Sequence, residues 1–158
     1  MITLKKNIFE VAKMLNTDSY ETDKPNTNMA IGYTVPPQMP AQKSSHASEK
    51  TEREPNTKFI EVKGTSAGGG YSTANDLYLF SSALFDGKLL SQESLEMITK
   101  GKVIVPPPPL PANIPTNVHL LPQRKYGYGF GESFENNIRI IGHNGGAPGV
   151  NAHFYIYP

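Results

Sequence analysis

The sequence predicts an α+β fold in which helices come first and antiparallel strands follow near the carboxyl end. Before residue 101, apolar residues recur at the three- and four-residue spacing of amphipathic helices. After residue 124 they alternate with polar or small residues, which is the period of a strand. Asparagine, glycine and proline separate the strand candidates, as expected of hairpins.

Composition limits the classes of function. The chain has 158 residues, a formal net charge of +1 and 18% charged residues, so its charge gives no reason to expect a nucleic-acid partner. No cysteine is present, which excludes disulfides and thiolate chemistry. No apolar run approaches the roughly 18 residues that suggest a membrane-spanning helix.

The first element is predicted to be an amphipathic helix, with Ile8, Val11, Ala12 and Leu15 at helical spacing. A short strand is predicted within 29–35. Residues 36–57 contain almost no apolar side chains, and we expect a polar loop insertion there. Residues 105–123 are rich in proline and predict a second loop, because proline fits neither a helix interior nor a central strand.

Two further helices are predicted in the middle of the chain, after a possible short strand at 59–62. The first has Ser72 or Thr73 as its N-cap, with Asp76 three residues after Thr73, and ends at Asp86-Gly87. The residues predicted to fall on one face of this helix are Leu77, Phe80, Ser81 and Leu84. The second helix begins at Ser91 and ends at Lys100-Gly101.

The late strands are predicted from "KYGYGFGESFENNIRIIGHNGG". Alternation with glycine predicts that Tyr126, Tyr128 and Phe130 lie on one face of a strand. Glu135-Asn136-Asn137 is the predicted turn of a hairpin, and "NAHFYIYP" predicts one more strand at the end of the chain.

The stretch "IIGHNGGAPGV", residues 140–150, is the main candidate for chemistry. A histidine at a strand end beside glycines fits a metal ligand, a catalytic group, a ligand-binding loop or a plain hairpin. The four histidines (His46, His119, His143 and His153) form no short ligand pair, so we expect no metal. The turn "GTSAGGGYST" lacks the lysine of a phosphate loop, so we expect no nucleotide cofactor.

Four stretches, in this order, resemble the serine β-lactamase and penicillin-binding-protein superfamily, in its branch of class C β-lactamases, D-Ala-D-Ala carboxypeptidases and esterases. They are "NIFEVAKMLNTDSY", "GTSAGGGYSTANDLYLF", "YGYGFG" and "GHNGGAPGVNAHFYIYP". The resemblance implies part of a β-lactamase/transpeptidase-like fold: antiparallel strands with flanking helices, forming a single partial domain over 1–158. It also suggests a periplasmic or extracellular location.

The same resemblance implies roles for four residues. His143, Asn144 and Gly145 occupy the position of the family's third catalytic motif, where a histidine steers a substrate carboxylate or a proton. Gly145 lacks a Cβ, which would let substrate lie against the strand. The backbone N–H of Gly146 would form half of an oxyanion hole.

The family's other two motifs are missing, since no Ser-x-x-Lys and no Tyr-x-Asn occurs in the chain. We therefore expect the carboxyl-terminal portion of a penicillin-recognising serine hydrolase, truncated at both ends and inactive alone. The substrate of the whole protein would be a β-lactam, a D-Ala peptide or an ester. The alternative is a non-catalytic binding or assembly module that self-associates through open strand edges.

Overall fold

The structure is a computed structural model that describes residues 2–24, 26, 28–36, 52–106 and 123–158. The first helix, α1, continues through three segments: Ile2–Leu4 and Glu10–Ala12 are α-helical, and Lys5–Phe9 between them is a π-helix. The other helices are α2 (Ala74–Phe85), α3 (Gln92–Thr99) and a 3₁₀ turn (Asn56–Lys58). Within the described ranges, no helix is both long and apolar enough to cross a membrane.

Within the described residues, seven strands form two sheets. A small antiparallel sheet pairs β1 (Tyr33–Thr34) with β2 (Glu54–Pro55). The larger sheet has the order β3-β4-β5-β6-β7, with every strand beside its neighbour in sequence. Its strands are β3 (Val103–Val105), β4 (Arg124–Tyr126), β5 (Gly131–Glu135), β6 (Ile138–Ala147) and β7 (Val150–Ile156). The pairings from β3 to β6 are antiparallel, which confirms the predicted α+β class.

The chain divides into two compact units. The first comprises Met1–Asn16, Thr73–Asn144 and His153–Pro158, and it contains the three helices and most of the larger sheet. The second comprises Thr17–Ser72 and Gly145–Ala152, and it contains the small sheet and the turn that joins β6 to β7. β6 passes from the first unit to the second after Asn144.

The core of the first unit lies between α1 and α2. Ala12, Met14 and Ala83 are buried there, and Ile8, Phe9, Phe80 and Leu89 pack against them. Val11 and Leu15, which were predicted to share the buried helix face, are 43% and 86% exposed. The reason is local: the π-helical segment shifts the phase of the side chains, and Lys13 leaves the helix with a φ of 60°.

The helix boundaries follow their predicted signals. The hydroxyl of Thr73 accepts a 3.1 Å hydrogen bond from the backbone N–H of Asp76, so Thr73 is the N-cap of α2. After Asp86, Gly87 takes a φ of +72°, a conformation that favours glycine at a helix end. The hydroxyl of Ser91 caps α3 in the same way, by accepting from Ser94 N–H at 3.2 Å.

Other predicted elements are wrong. Residues 59–62 form no strand, because the chain leaves the 3₁₀ turn at Phe59 through bends. Tyr126, Tyr128 and Phe130 do not share one strand: β4 ends at Tyr126, and Gly129, with a φ of +83°, turns the chain into β5. β3 was not predicted, since three apolar residues are too few to define a period.

The predicted loops are described only in part. Residues 37–51 of the polar loop and 107–122 of the proline-rich loop lie outside the described residues. The end of the predicted polar loop is ordered, since it contains β2 and the start of the 3₁₀ turn. The predicted hairpin turn is confirmed. Asn136 and Asn137 have φ values of 49° and 65°, and a positive φ at both residues is typical of two-residue loops in β-hairpins.

Candidate functional site

The candidate site begins where β6 changes from buried to exposed. β5 and β6 are in register through Glu132 opposite Ile141 and Gly131 opposite Gly142. Ile141 is completely buried, whereas every residue from His143 to the end of the strand is exposed. The buried part of β6 therefore anchors the strand, and His143 is the first exposed side chain after that buried part.

Gly142 fixes how closely β6 approaches β7 immediately before His143. Its φ of +155° lies in a region that side-chain-bearing residues rarely adopt. A Cβ at this position would collide with the carbonyl oxygen of Phe154 and would lie 2.9 Å from the Cα of Tyr155. Only glycine fits between these backbones, so Gly142 sets the strand position from which His143 extends.

His143 is held by hydrogen bonds at both ring nitrogens. Its Nδ1 lies 2.6 Å from the carbonyl oxygen of Asn144, and its Nε2 lies 3.0 Å from the hydroxyl of Tyr126. A carbonyl oxygen only accepts, so Nδ1 carries the proton and Nε2 of the neutral ring accepts from the tyrosine hydroxyl. The two rings also meet edge to face, with centroids 5.7 Å apart and planes at 77°.

We predict that Tyr126→Phe removes the hydrogen bond to Nε2 while keeping the ring contact. With only the Asn144 carbonyl left to fix the tautomer, the neutral imidazole should show a larger fraction protonated on Nε2. The ring ¹⁵N shifts of His143, measured by NMR at a pH where the ring is neutral, report this directly. His153, whose ring faces Tyr155 instead at 5.9 Å, is the control that should not change. Unchanged His143 shifts would contradict the assigned hydrogen bond.

Gly145 and Gly146 belong to the second unit and follow Asn144 directly in β6. A Cβ added at Gly145 would meet no atom within 4 Å, and one at Gly146 would make only an ordinary 3.6 Å contact with the Val150 carbonyl oxygen. The backbone φ angle is not positive at Gly145 or at Gly146. Unlike Gly142, these two glycines are not required by the packing or the backbone conformation of the described chain.

An ion pair in the first unit ties β5 and β6 to the end of α3. Glu132 is 8% exposed, and its Oε1 accepts from Arg139 Nε at 2.7 Å. Its Oε2 accepts from the backbone N–H of Gly101 at 2.9 Å. Burial acts to raise the pKa of Glu132, but the bonds from Gly101 and Arg139 and the charge of Lys125 outweigh it, so the pKa is lowered. Glu132 is therefore ionised near neutral pH.

The four predicted site residues are consecutive in β6 and exposed, but the motif that carries the family's nucleophile is missing from the sequence. The sequence contains neither Ser-x-x-Lys nor Tyr-x-Asn. Among the described residues, no three acidic or histidine side chains are grouped to hold a metal ion, and His46 and His119 lie outside those residues. Sequence reasoning missed the Tyr126 contact, because it depends on a strand register that the hydrophobic pattern does not define.

Comparison with known proteins identifies related folds. A sequence model of the family described as Beta-lactamase matches residues 3–158. A penicillin-binding protein from Bacillus halodurans matches 98% of this chain and 40% of its own length at 23% identity, with a TM-score of 0.73. The octameric penicillin-binding protein homologue from Pyrococcus abyssi matches 99% of this chain and 30% of its own length at 18% identity, with a TM-score of 0.72.

A D-amino acid amidase from Ochrobactrum anthropi SV3, solved with D-phenylalanine, is 26% identical over 94% of this chain and 39% of its own, with a TM-score of 0.53. No curated protein sequence matches. The chain thus spans well under half the length of each of these solved relatives. Their shared fold confirms the β-lactamase/transpeptidase-like class that the sequence predicts.

Proposed function

Because the chain belongs to the beta-lactamase family, we propose that it forms one wall of the acyl-enzyme cleft of a penicillin-recognising serine hydrolase. That wall is the exposed run His143-Asn144-Gly145-Gly146, and the chain is part of one larger catalytic domain. The observation that carries the proposal is the fixed imidazole of His143, which meets solvent directly after a buried strand segment. A plain hairpin needs no such restraint on an exposed histidine.

The hydrogen bond between His143 and Tyr126 supports this proposal, because its direction depends on which ring nitrogens carry a proton. In the neutral pair the tyrosine proton points to Nε2, so the hydroxyl presents only its oxygen to other groups. When the imidazole takes up a proton, Nε2–H donates to the hydroxyl oxygen, and the tyrosine O–H is released to donate to a substrate. The pair can thus pass a proton outward or hold a substrate carboxylate with a cation.

Gly145 and Gly146 support the proposal through the space beside them. Packing within the described chain does not require a glycine at position 145. Access for an extended substrate would explain it, because the open space there leaves the strand exposed. The N–H of Gly146 would then act as one oxyanion donor. Loss of such a donor in other hydrolases costs about 2.7–4 kcal/mol of transition-state stabilisation.

The relatives support a proposal for the substrate class. A β-lactam, a D-Ala-terminated peptide and a small ester all present a carbonyl carbon to a serine and leave an acyl-enzyme. The D-amino acid amidase, solved with D-phenylalanine, extends this series to amides of D-amino acids. We place the substrate of the whole protein in this group of acyl donors.

The direct test is labelling with a fluorescent penicillin and with a fluorophosphonate. The 158-residue chain should take up neither reagent, because it contains no Ser-x-x-Lys. A longer protein that includes this chain should be labelled once, on the serine of an upstream Ser-x-x-Lys. Stoichiometric labelling of the 158-residue chain would contradict the missing nucleophile, and a longer protein without that motif would contradict the proposed function.

Gly145→Ala separates a role in substrate binding from a role in folding. The added methyl group meets no atom of the described chain, so we expect the free energy of unfolding to change by less than about 0.5 kcal/mol. In the longer, serine-bearing protein, the same methyl group would lie in the substrate path and should slow acylation at least about tenfold. Equal acylation rates for the variant and the wild type would exclude this strand surface as part of the cleft.

A further inference from the structure

In the second unit, the turn that joins β6 to β7 is held by a buried amide. Asn56 is only 2% exposed, although it lies in a stretch that the sequence marks as polar. Its side-chain Nδ2–H donates to the carbonyl oxygen of Pro148 at 2.9 Å. Its backbone N–H donates to the carbonyl oxygen of Gly32 at 2.8 Å, and its own carbonyl accepts from Phe59 N–H. Asn56 thus links the residue before β1 to the β6–β7 turn.

The backbones around this amide approach too closely for side chains. A Cβ on Gly32 would collide with the carbonyl oxygen of Gly149 and would lie 2.6 Å from Nδ2 of Asn56. A Cβ on Gly149, whose φ is +71°, would lie 2.8 Å from the carbonyl oxygen of Tyr33. Close packing of this kind leaves the turn little freedom to move, because either backbone would have to shift for the other to do so.

We infer that Asn56 is a positioning residue for the strand segment that carries Gly145 and Gly146. It does not lie on that segment but acts through Pro148, which directly follows the last residue of β6. The role of Asn56 in catalysis rests on the proposed function, because it concerns the Gly146 N–H group that would donate to the oxyanion. The role in holding the turn rests only on the contacts of the second unit.

The test concerns the side-chain amide of Asn56. Its partner, the carbonyl oxygen of Pro148, can only accept a hydrogen bond, so residue 56 must supply the donor. An aspartate has nearly the same shape as asparagine, but its ionised carboxylate cannot donate to a carbonyl oxygen. At low pH the buried carboxyl is protonated, and its O–H can then donate to Pro148 again. Asn56→Asp therefore converts a permanent restraint into a pH-dependent one without changing the volume of the side chain.

The experiment compares amide protection factors of the full 158-residue chain by NMR hydrogen exchange at pH 7 and pH 4. In Asn56→Asp, two glycines of the turn region, Gly145 and Gly149, should be protected at least about tenfold less than wild type at pH 7 and should approach wild type at pH 4. Asn56→Ala should lose protection at both pH values. Asn151→Asp adds the same charge at an exposed position of β7 and should change the protection of neither glycine. Gly101 and Gly127, hydrogen-bonded in the first unit, report whether the rest of the fold persists.

Wild-type protection at these glycines in Asn56→Asp at pH 7 would overturn the inference, as would a loss that does not recover at pH 4. If Asn56→Asp is unfolded at pH 7, refolding of the same sample at pH 4 supports the inference, and failure to refold there overturns it. These outcomes are independent of acylation. If a longer protein is never acylated, the proposed function is rejected, but a pH-dependent protection of the turn would still support the role of Asn56 in holding it.

Discussion

Gly142→Ala is expected to lower the free energy of unfolding by about 3 kcal/mol or more. Two costs combine. An alanine at a φ of +155° is strained by about 1–3 kcal/mol. Its methyl group also collides with the backbone of Phe154 on the neighbouring strand, and overpacking of this kind typically costs about 1–3 kcal/mol. Backbone atoms cannot rotate away as a side chain does, so little of this cost is relieved.

Urea unfolding followed by circular dichroism measures the effect, and Gly145→Ala is the matched control. Both substitutions add one methyl group to the same strand, but only the residue at 142 has a positive φ and a crowded Cβ position. The two midpoints should therefore differ widely. Equal stability of the two variants would mean that β6 and β7 are not packed as closely at Gly142 as the structure has them.

This contrast shows what the sequence alone could and could not establish about the site. The pattern of residues 140–150 was sufficient to single out His143 and the glycines after it as candidates, but it placed His143 at a strand end, whereas β6 continues past it to Ala147. The pattern did not distinguish Gly142 from Gly145. Gly142 is required because its backbone packs against β7, whereas Gly145 has no such contact. The contacts of Gly142 are with Phe154 and Tyr155, which are distant in sequence, so a local pattern does not reveal them.

The same reasoning applies to the fold. Thr73 and the Asn136-Asn137 turn were predictable because capping and turn formation act within four residues. The π-helical segment of α1 was not, and it moved Val11 and Leu15 off the predicted buried face. Asn56 was missed for a further reason: polar residues usually indicate a solvated loop, and nothing local marks an amide that will be buried against Pro148.

The pair of Glu132 and Arg139 connects the stability of the sheet to the strand that bears the candidate site. Arg139 lies on β6 four residues before His143, and its Nη2 also donates to the hydroxyl of Thr99 at 3.2 Å. Thr99 in turn donates to the carbonyl oxygen of Leu95 in α3. A glutamine at this position keeps one acceptor oxygen where the carboxylate has two, so either Arg139, whose side chain is 29% exposed, or the half-buried N–H of Gly101 loses its acceptor on residue 132.

Glu132→Gln is expected to lower the free energy of unfolding at pH 7 by about 2–4 kcal/mol, below the upper range for broken buried pairs because Arg139 keeps some contact with water. The pKa of Glu132 is lower in the folded chain than its ordinary value of 4.5, so the folded state binds this proton more weakly. The stabilisation is complete above that value and is lost as the pH falls through the lowered folded-state pKa. The difference between wild type and variant should therefore shrink below pH 4.5.

Urea unfolding of both chains from pH 7 to pH 3 isolates this effect, because every other carboxylate titrates in both. Glu135→Gln, which removes an exposed carboxylate three residues further along β5, should stay within about 0.5 kcal/mol of wild type throughout. A Glu132→Gln deficit that is the same at pH 7 and pH 3 would show that the lost stability comes from packing and not from the charge. A deficit confined to pH 7 would establish that β5, β6 and α3 are held together by an ionised carboxylate on the strand next to the one that carries His143.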